Sequence, residues 1–307
     1  MADTLITSSQ HLLAFGQIGF WYALLLGLIL GSFINVVIHR LPRALFGSDD
    51  ASGNDQFKQQ SIAENLRCLI SPGSTTPCCN HAIPWSDNIP LVSWLRLKGK
   101  CRYCSAPISL RYFLVELFTG ISFAAIYMQF GLSWATPLYC LFLALLIALF
   151  FIDLETYYLP NYLTYSALVL GLLGSVLGLT AVGLTGSLLG ACGGYLLPWS
   201  VNYLYRLVRK RDGFGGGDFK LLAVFGAWFG FASIMPILAI ASILGLLTII
   251  GLMMLRKEKL TLERMLPFGP FLILAGGYIL IFGTPPWFGY WAFAINMIKR
   301  ISQIIKG

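Results

Sequence analysis

Five long windows of this chain carry no Asp, Glu, Lys or Arg, and they constrain its fold more than any other feature. The windows are residues 4–39, 117–152, 156–205, 221–255 and 265–298. One helical crossing of a bilayer takes about 20 apolar residues, so each window is long enough to cross at least once. Only 11% of the residues are charged and 57% are hydrophobic, whereas a soluble domain is about a quarter charged. We therefore predict a protein with many membrane-spanning helices.

Turn signals divide the windows into eight expected helices. These are residues 15–38, 112–130, 133–152, 159–180, 182–205, 218–231, 233–255 and 267–283. The first is expected to end at the break Arg40–Leu41–Pro42, because proline interrupts helical hydrogen bonding. It lacks the basic start and the cleavage pattern of a signal peptide, so we expect it to be retained. The predicted fold class is an all-α polytopic integral membrane protein with about eight transmembrane helices and a small Cys-containing cytoplasmic loop module.

The alternation of polar and apolar stretches predicts four regions. They are a first transmembrane helix at 12–39, a cytoplasmic loop at 40–111, a transmembrane core at 112–284 and an interfacial amphipathic tail at 285–307. Within the loop, residues 47–66 are rich in Gly, Ser, Asp and Gln, which is typical of a flexible insertion. The tail has only about 14 apolar residues before its basic end, which favours a helix lying on the membrane surface.

The basic residues collect in alternate loops. No Lys or Arg precedes Arg40, although the net charge of the chain is +8. Of the 21 basic residues, nine lie between residues 40 and 111, five between 206 and 220, four between 256 and 264, and three in the tail. Positive charge confined to alternate loops marks the cytoplasmic side of a membrane protein. These loops are therefore predicted to face the cytoplasm, and the charge is not interpreted as binding nucleic acid.

Two aspartates lie at the predicted inner ends of separate helices. Asp153 ends one apolar run and Asp218 opens another, directly after the glycines at 215–217. Acids at membrane depth are costly and indicate functional sites. Two neighbouring carboxyl groups that share one proton can act as base and acid in peptide hydrolysis. We therefore predict Asp153 and Asp218 to be catalytic, against the alternative that each is an interfacial residue capping a helix.

We predict less definite roles for the residues beside the two aspartates. The three glycines before Asp218 allow unusual backbone angles and would let a substrate strand approach closely. Lys220 is expected either to bias the local charge or to reach the interface. Glu155 is given at most a supporting role, and Glu116 is expected either to pair with a basic residue or to line the site.

Cysteines in the loop form a second candidate site. Cys101 and Cys104 form a CxxC pair, and Cys78 and Cys79 precede it by about 22 positions. Two such pairs hold zinc in zinc ribbons, but Thr76 stands where a second CxxC would begin. We predict zinc on Cys78, Cys79, Cys101 and Cys104, with Cys68 or His81 as other sources of a ligand. Free thiols and a disulfide are the competing interpretations, and a reducing cytoplasm argues against the disulfide.

Six motifs resemble the bacterial prepilin leader peptidase family, whose members are bifunctional peptidases and N-methyltransferases. The motifs are GSFINVVIHRLP at 31–42, NIPLVSWLRLKGKCRYC at 88–104, PISLRYFLVELFTG at 107–120, FIDLETYYLPNYLT at 151–164, GGGDFKLLAVFGAW at 215–228 and LPFGPFLILAG at 266–276. The family's catalytic aspartates fall on Asp153 and Asp218. Its cysteine tetrad falls on Cys79, Cys101 and Cys104, with Thr76 where the first cysteine is expected.

The resemblance implies an activity, substrates and a location. It implies cleavage of leader peptides from type IV prepilins and pseudopilins at the cytoplasmic face of the bacterial inner membrane. It also implies methylation of the new N-terminal residue with S-adenosylmethionine, in the loop region. The sequence has no GxGxxG after a predicted strand, so such a cofactor site would differ from a Rossmann pocket.

Two other functions compete with the peptidase. A proton-coupled transporter could use the two acids as a relay, but both lie at one predicted membrane edge and no inverted repeat is visible. A non-enzymatic pilus assembly scaffold would leave the glycine-flanked Asp218 without a purpose. The peptidase interpretation is preferred for these reasons.

Overall fold

The computed structural model describes a chain built of helices. The described residues are 2–46, 76, 79, 81–210, 213, 215–256 and 267–283. The helices are α1 (Ala2–Phe46), α2 (Val92–Arg96), α3 (Leu110–Phe130), α4 (Ala135–Thr156), α5 (Asn161–Val176), α6 (Leu184–Arg209), α7 (Gly216–Phe229), α8 (Ile234–Arg256) and α9 (Gly269–Phe282). The predicted insertion at 47–66, Cys68, Cys78 and the tail at 285–307 lie outside the described residues.

All eight expected long helices are present, and α2 is an additional short one. Within the described residues, four segments are long and apolar enough to cross a membrane: Gln17–Leu45, Leu110–Phe130, Ala135–Thr156 and Phe231–Met254. The apolar helices α5 and α9 are shorter, with 16 and 14 residues, and a full crossing takes about 20. The expectation of a helical membrane protein is confirmed, and eight complete crossings stay a prediction.

The predicted end of the first helix is wrong, because α1 continues through Pro42 to Phe46. A proline inside a helix removes one hydrogen bond and costs about 3 kcal/mol. Ile38 and Leu41, one turn and one residue before the proline, are both buried. Packing of this apolar turn offsets the lost hydrogen bond, and propensity arguments cannot anticipate such tertiary contacts.

The chain forms two compact units that divide after Leu163. In the first unit, α1 packs antiparallel to α3 through small residues. A Cβ atom on Gly27 would lie 2.7 Å from the Thr119 carbonyl oxygen, and one on Gly31 would lie 2.7 Å from the Glu116 Cα. Glycines spaced four apart let membrane helices approach this closely. This packing holds the C-terminal half of α1 against the N-terminal half of α3.

The second unit is centred on α7, where Leu221 to Trp228 are all buried. A Cβ atom on Gly226 would lie 2.0 Å from the Gly190 carbonyl oxygen on α6. The Trp228 indole donates a 2.8 Å hydrogen bond to the Ala167 carbonyl of α5. The helix that begins beside Asp218 is therefore held from more than one side.

Candidate functional site

Asp153 lies in the last turn of α4 and is only 5% exposed. The helix ends at Tyr157, whose left-handed backbone conformation allows its N–H to donate to the Asp153 carbonyl oxygen at 2.9 Å. Leu149 and Ile152 on the same helix are completely buried. An acid side chain is thus held among apolar groups at a helix end, which is a costly arrangement unless the acid has a function.

Glu155, two residues further on, has a different role from Asp153. Its side chain is exposed and forms an ion pair with Arg111 at the start of α3. The Arg111 guanidinium also lies 5.2 Å from the centre of the Tyr112 ring. Its position two residues past Asp153 predicts that Glu155 lies further into solvent, and its exposed side chain confirms this. Its partner Arg111 was not anticipated. The ion pair joins α3 to the end of α4 that carries Asp153.

Asp218 lies at the third position of α7 and is 9% exposed. The residue at the N-cap of the helix is Gly215 and not Asp218. The interpretation of Asp218 as an N-cap residue therefore does not hold. Negative charge in the first turn of a helix is favoured by the helix dipole.

The glycines before Asp218 do not use the unusual backbone angles that glycine allows. Gly215 has an extended conformation, with φ −71° and ψ 139°, and Gly216 and Gly217 begin the helix. At least one of these positions requires glycine because a larger residue would lack space. A Cβ atom on Gly215 would lie 3.2 Å from Asp218 Oδ2, whereas one on Gly216 would meet nothing within 4 Å. The chain is therefore open beside Gly216, next to the acid.

Lys220 lies in the same turn as Asp218. Its ammonium group is 5.7 Å from the centre of the Tyr165 ring of α5. Cation–π contacts of this kind hold a basic side chain in place. Neither expected role of Lys220 included this contact. The approach of Asp153 to Asp218, on which a shared proton depends, stays a prediction.

Three of the four predicted metal ligands come together in the loop. The sulfur atoms of Cys79, Cys101 and Cys104 all lie within 4.8 Å of one another. Cys101 and Cys104 occupy a tight hairpin, in which the Cys101 N–H donates to the Ala106 carbonyl and the Ser105 N–H donates to the Cys101 carbonyl. Cys78, the fourth predicted ligand, lies outside the described residues. No disulfide joins the described cysteines, which disfavours the disulfide interpretation for them.

The spacing of the cysteine sulfurs fits a tetrahedral metal. Zinc bonds to sulfur of about 2.3 Å place two ligand sulfurs about 3.8 Å apart, and Cys79 Sγ lies 3.8 Å from Cys101 Sγ. The Thr76 hydroxyl is 3.1 Å from Cys79 Sγ. Hydrogen bonds from Thr76 and from the backbone of His81 lower the pKa of Cys79 to about 6. The thiolate, which is the metal-binding form, therefore predominates at neutral pH.

His81 does not join the cysteine cluster. Its ring stacks on Tyr103 with 4.7 Å between ring centres, and its Nδ1 faces the Cys79 carbonyl oxygen. The other two described cysteines, Cys140 and Cys192, lie in apolar windows of the sequence, which predicts that both are buried small hydrophobic residues. Cys140 is buried, whereas Cys192 is exposed on α6. The expectation that Cys192 is buried is therefore wrong, because an apolar helix in lipid need not turn its apolar residues inward.

The described residues 81–108, which we call the loop module, are held together by Asp87. Its carboxylate pairs with Arg96 and Arg102, and its side chain is only 6% exposed. The Arg102 hydrogen bond is the main cause that lowers the pKa of Asp87. Asp87 was not singled out from the sequence, although it is the only acid between Glu64 and Glu116. An isolated acid among many basic residues is the feature from which its ion pairs could have been predicted.

The loop module also contacts the membrane helix α3. The Trp94 ring packs against Phe113 with 5.2 Å between ring centres, and the Leu91 N–H donates a 2.8 Å hydrogen bond to Glu116 Oε2. Glu116 was expected to pair with a basic residue or to line the site. Its carboxylate instead accepts from a backbone amide of the loop module.

Comparison with known proteins gives two family matches and several relatives. The bacterial peptidase A24 N-terminal domain matches residues 25–130, and the type IV leader peptidase family matches residues 140–250. Three relatives are named prepilin leader peptidase/N-methyltransferase. The protein of Aeromonas hydrophila is 42% identical over 84% of this chain and 89% of its own length. That of Stutzerimonas stutzeri is 41% identical over 89% and 93%, and that of Pseudomonas aeruginosa is 40% identical over 85% and 89%. No solved structure matches the chain.

Proposed function

Because this chain belongs to the type IV leader peptidase family, we propose that it cleaves the leader peptides of type IV prepilins and pseudopilins as an intramembrane aspartic endopeptidase. The observation that carries the proposal is the burial of two acids, Asp153 and Asp218, at the ends of two apolar helices. Both acids fall within the 140–250 segment that matches the peptidase family. Membership of a peptidase family also favours this function over a transporter or a scaffold.

The proposed chemistry uses one carboxylate as base and the other carboxyl as acid. The base takes a proton from a water molecule while the water oxygen attacks the carbonyl carbon of the scissile peptide bond. The acid gives its proton to the carbonyl oxygen, which produces a tetrahedral diol. Collapse of the diol breaks the C–N bond, and the amine nitrogen takes up a proton. The reaction consumes one water and requires no nucleophilic side chain.

The proposed location follows from the charges. The loop with nine basic residues and the segment after α6 are assigned to the cytoplasm of a bacterial inner membrane. The substrate's apolar segment would then lie in the bilayer with its leader on the cytoplasmic side. Exposed apolar side chains on α8, including Leu246, Leu247 and Met254, suit contact with lipid.

The names of the relatives include a second activity, and we propose it for this chain at the loop module. S-adenosylmethionine would supply a methyl group as a sulfonium. The neutral amine released by cleavage would bond to that methyl carbon while the sulfur–methyl bond breaks and leaves a neutral thioether, and the nitrogen would then lose a proton. The loop module, residues 81–108, lies in the segment that matches the N-terminal domain of bacterial A24 peptidases.

The cysteine cluster is proposed to hold zinc for stability of the loop module. Cys79, Cys101 and Cys104 would supply three thiolate ligands, and Cys78 is the proposed source of a fourth. The metal would contribute to folding and take no part in proteolysis. Loss of a ligand such as Cys101 should therefore reduce the amount of folded protein before it affects cleavage by correctly folded molecules.

One incubation tests both proposed activities. Purified protein in lipid is mixed with a prepilin and S-adenosylmethionine labelled in its methyl group, and the products are analysed by mass. The proposal predicts loss of the leader mass and one labelled methyl group on the new N-terminal residue. An intact prepilin would contradict the peptidase, and an unlabelled mature pilin would contradict the methyltransferase.

A further inference from the structure

Leu91, at the start of α2, has a strained backbone. Its φ is 59° and its ψ is −46°, a region that residues with a side chain rarely occupy. The Val92 N–H donates to the Pro90 carbonyl oxygen at 2.6 Å, so Leu91 is the central residue of a γ-turn. Turns of this hand are rare and strained. Such a turn persists only where surrounding contacts hold it.

The contact that holds this turn comes from inside the membrane helices. Glu116 on α3 accepts the Leu91 N–H through Oε2 at 2.8 Å, across 25 positions of sequence. The Ser32 side chain of α1 lies beside the same Glu116 carboxylate. Gly31 leaves room for this approach, because a Cβ atom there would lie 2.7 Å from the Glu116 Cα. One carboxylate thus joins α1, α3 and the turn at Leu91.

The turn at Leu91 lies inside the loop module and leads directly into α2. α2 carries Trp94, which packs on Phe113, and Arg96, which pairs with Asp87. The hairpin with Cys101 follows at once. Movement of the turn would therefore displace the whole module from the helix pair α1 and α3.

We propose that Glu116 is a positioning residue that latches the loop module to α1 and α3 and thereby sets the module for methyl transfer. The inference rests on the proposed function for its catalytic part, because that function assigns methyl transfer to the loop module. The proposal that Glu116 holds the loop module in place rests only on the Leu91 turn and on the Glu116 carboxylate that contacts it. The latch does not require a negative charge at position 116, since a neutral acceptor there can also accept a hydrogen bond from the Leu91 N–H.

Hydrogen exchange in lipid tests the latch without reference to any activity. Glu116→Ala should speed exchange of the Leu91 to Leu97 amides by about tenfold or more, the size expected on loss of a hydrogen bond to a charged group. Glu116→Gln should keep most of the protection, because its amide oxygen still accepts. Adding Leu91→Gly to Glu116→Ala should restore part of the protection of the α2 amides, because glycine adopts positive φ without strain. Gln129→Ala, an exposed change on the same helix, is the control.

Kinetics with two substrates test the positioning role. Glu116→Ala should raise the KM for methylation of an already cleaved pilin by about tenfold, in line with the lost hydrogen bond, with Glu116→Gln close to wild type. Cleavage of prepilin by the same Glu116→Ala preparation should stay within about twofold of wild type, since Glu116 is not among the proposed catalytic acids. This split between the two reactions is not expected of a variant that is merely unfolded.

The outcomes separate the latch from the proposed function. Unchanged exchange in Glu116→Ala would overturn the latch, and faster exchange with unchanged methylation would overturn the positioning role. Equal loss of cleavage and methylation in Glu116→Ala, without rescue by Glu116→Gln, would also overturn it. Wild-type protein that neither cleaves nor methylates would contradict the proposed function, and the exchange result would still decide the latch.

Discussion

At the residue scale, Asp87 is the acid on which the loop module depends most. Two hydrogen-bonded arginines lower the pKa of this carboxyl, with Arg102 making the larger contribution. Because the folded pKa lies below the unfolded value of about 4, the stabilisation is present above that pH. It is lost as the pH falls through the lowered folded pKa.

Asp87→Asn should loosen the loop module by about 1 kcal/mol, because both arginines are partly exposed and solvent screens the pairs. Limited proteolysis between residues 81 and 108, with the protein in lipid, measures the change. Asn88→Ala, at the exposed neighbouring position, is the control. Equal proteolysis of Asp87→Asn and wild type at neutral pH would show that the two ion pairs do not hold the module.

A second residue-scale prediction concerns Thr76. Its hydroxyl lies 3.1 Å from Cys79 Sγ, so Thr76→Cys would place a thiol beside the three-cysteine cluster. Zinc affinity, measured by competition with a chelator, should then rise by about tenfold or more, because a pair spaced as CxxC suits zinc better than the adjacent Cys78 and Cys79 and would replace Cys78 as the source of the fourth thiolate. Asn88→Cys adds a thiol elsewhere in the loop module and should leave the affinity unchanged. An unaltered affinity in Thr76→Cys would indicate that the site already has four ligands.

The sequence predicts individual site residues only where the cost of burial is visible in it. Asp153 and Asp218 interrupt apolar runs, so their burial could be expected from the sequence alone. The partners of Arg111 and Glu116 could not be predicted, because both depend on contacts between segments distant in sequence. Nothing in the sequence predicts the turn at Leu91 either, since leucine is not a residue that favours positive φ.

At the element scale, the charge-free windows predict the helices well and their ends less well. Seven of the eight expected helices have their observed ends within about five residues of the predicted ones, as is usual for boundaries. The exception is α1, which starts far earlier and continues past Pro42. The ends of a helix depend on capping and packing, whereas an apolar pattern predicts only the residues in the middle of the helix.

Close packing of α6 on α7 gives an element-scale prediction. Gly226→Ala would place a Cβ atom 2.0 Å from the Gly190 carbonyl oxygen, and the helices must separate to admit it. The expected loss is about 1–3 kcal/mol of stability, seen as a lower midpoint of thermal unfolding in detergent. Gly277→Ala on α9 is the matched control, because its Cβ atom would meet nothing within 4 Å. Equal midpoints for the two variants would contradict the packing of α6 on α7.

At the scale of the whole molecule, the basic loops predict the orientation in the membrane. Ser133 lies between α3 and α4, and Lys210 follows α6. In a background with Cys104 and Cys192 replaced by Ser, Ser133→Cys should react with an impermeant maleimide from outside the cell. Lys210→Cys should react only in inverted vesicles. Labelling of both positions from one side would contradict the predicted orientation.

The central claim is that two buried acids, carried by separate helices, perform the cleavage. Asp153→Asn and Asp218→Asn keep the side-chain volume but remove the exchangeable proton. Each should lower the rate of prepilin cleavage by at least about a thousandfold, within the range known for acid–base groups. Glu155→Gln, which removes a neighbouring exposed acid, should stay within about tenfold of wild type.

The decisive measurement is the single-turnover rate of prepilin cleavage by each purified Asn variant in lipid, with the amount of inserted protein matched to wild type. The account predicts no detectable cleavage by either variant, while methylation of an already cleaved pilin continues. Cleavage at a near wild-type rate by either variant would contradict the shared-proton mechanism and leave that aspartate with a structural role only.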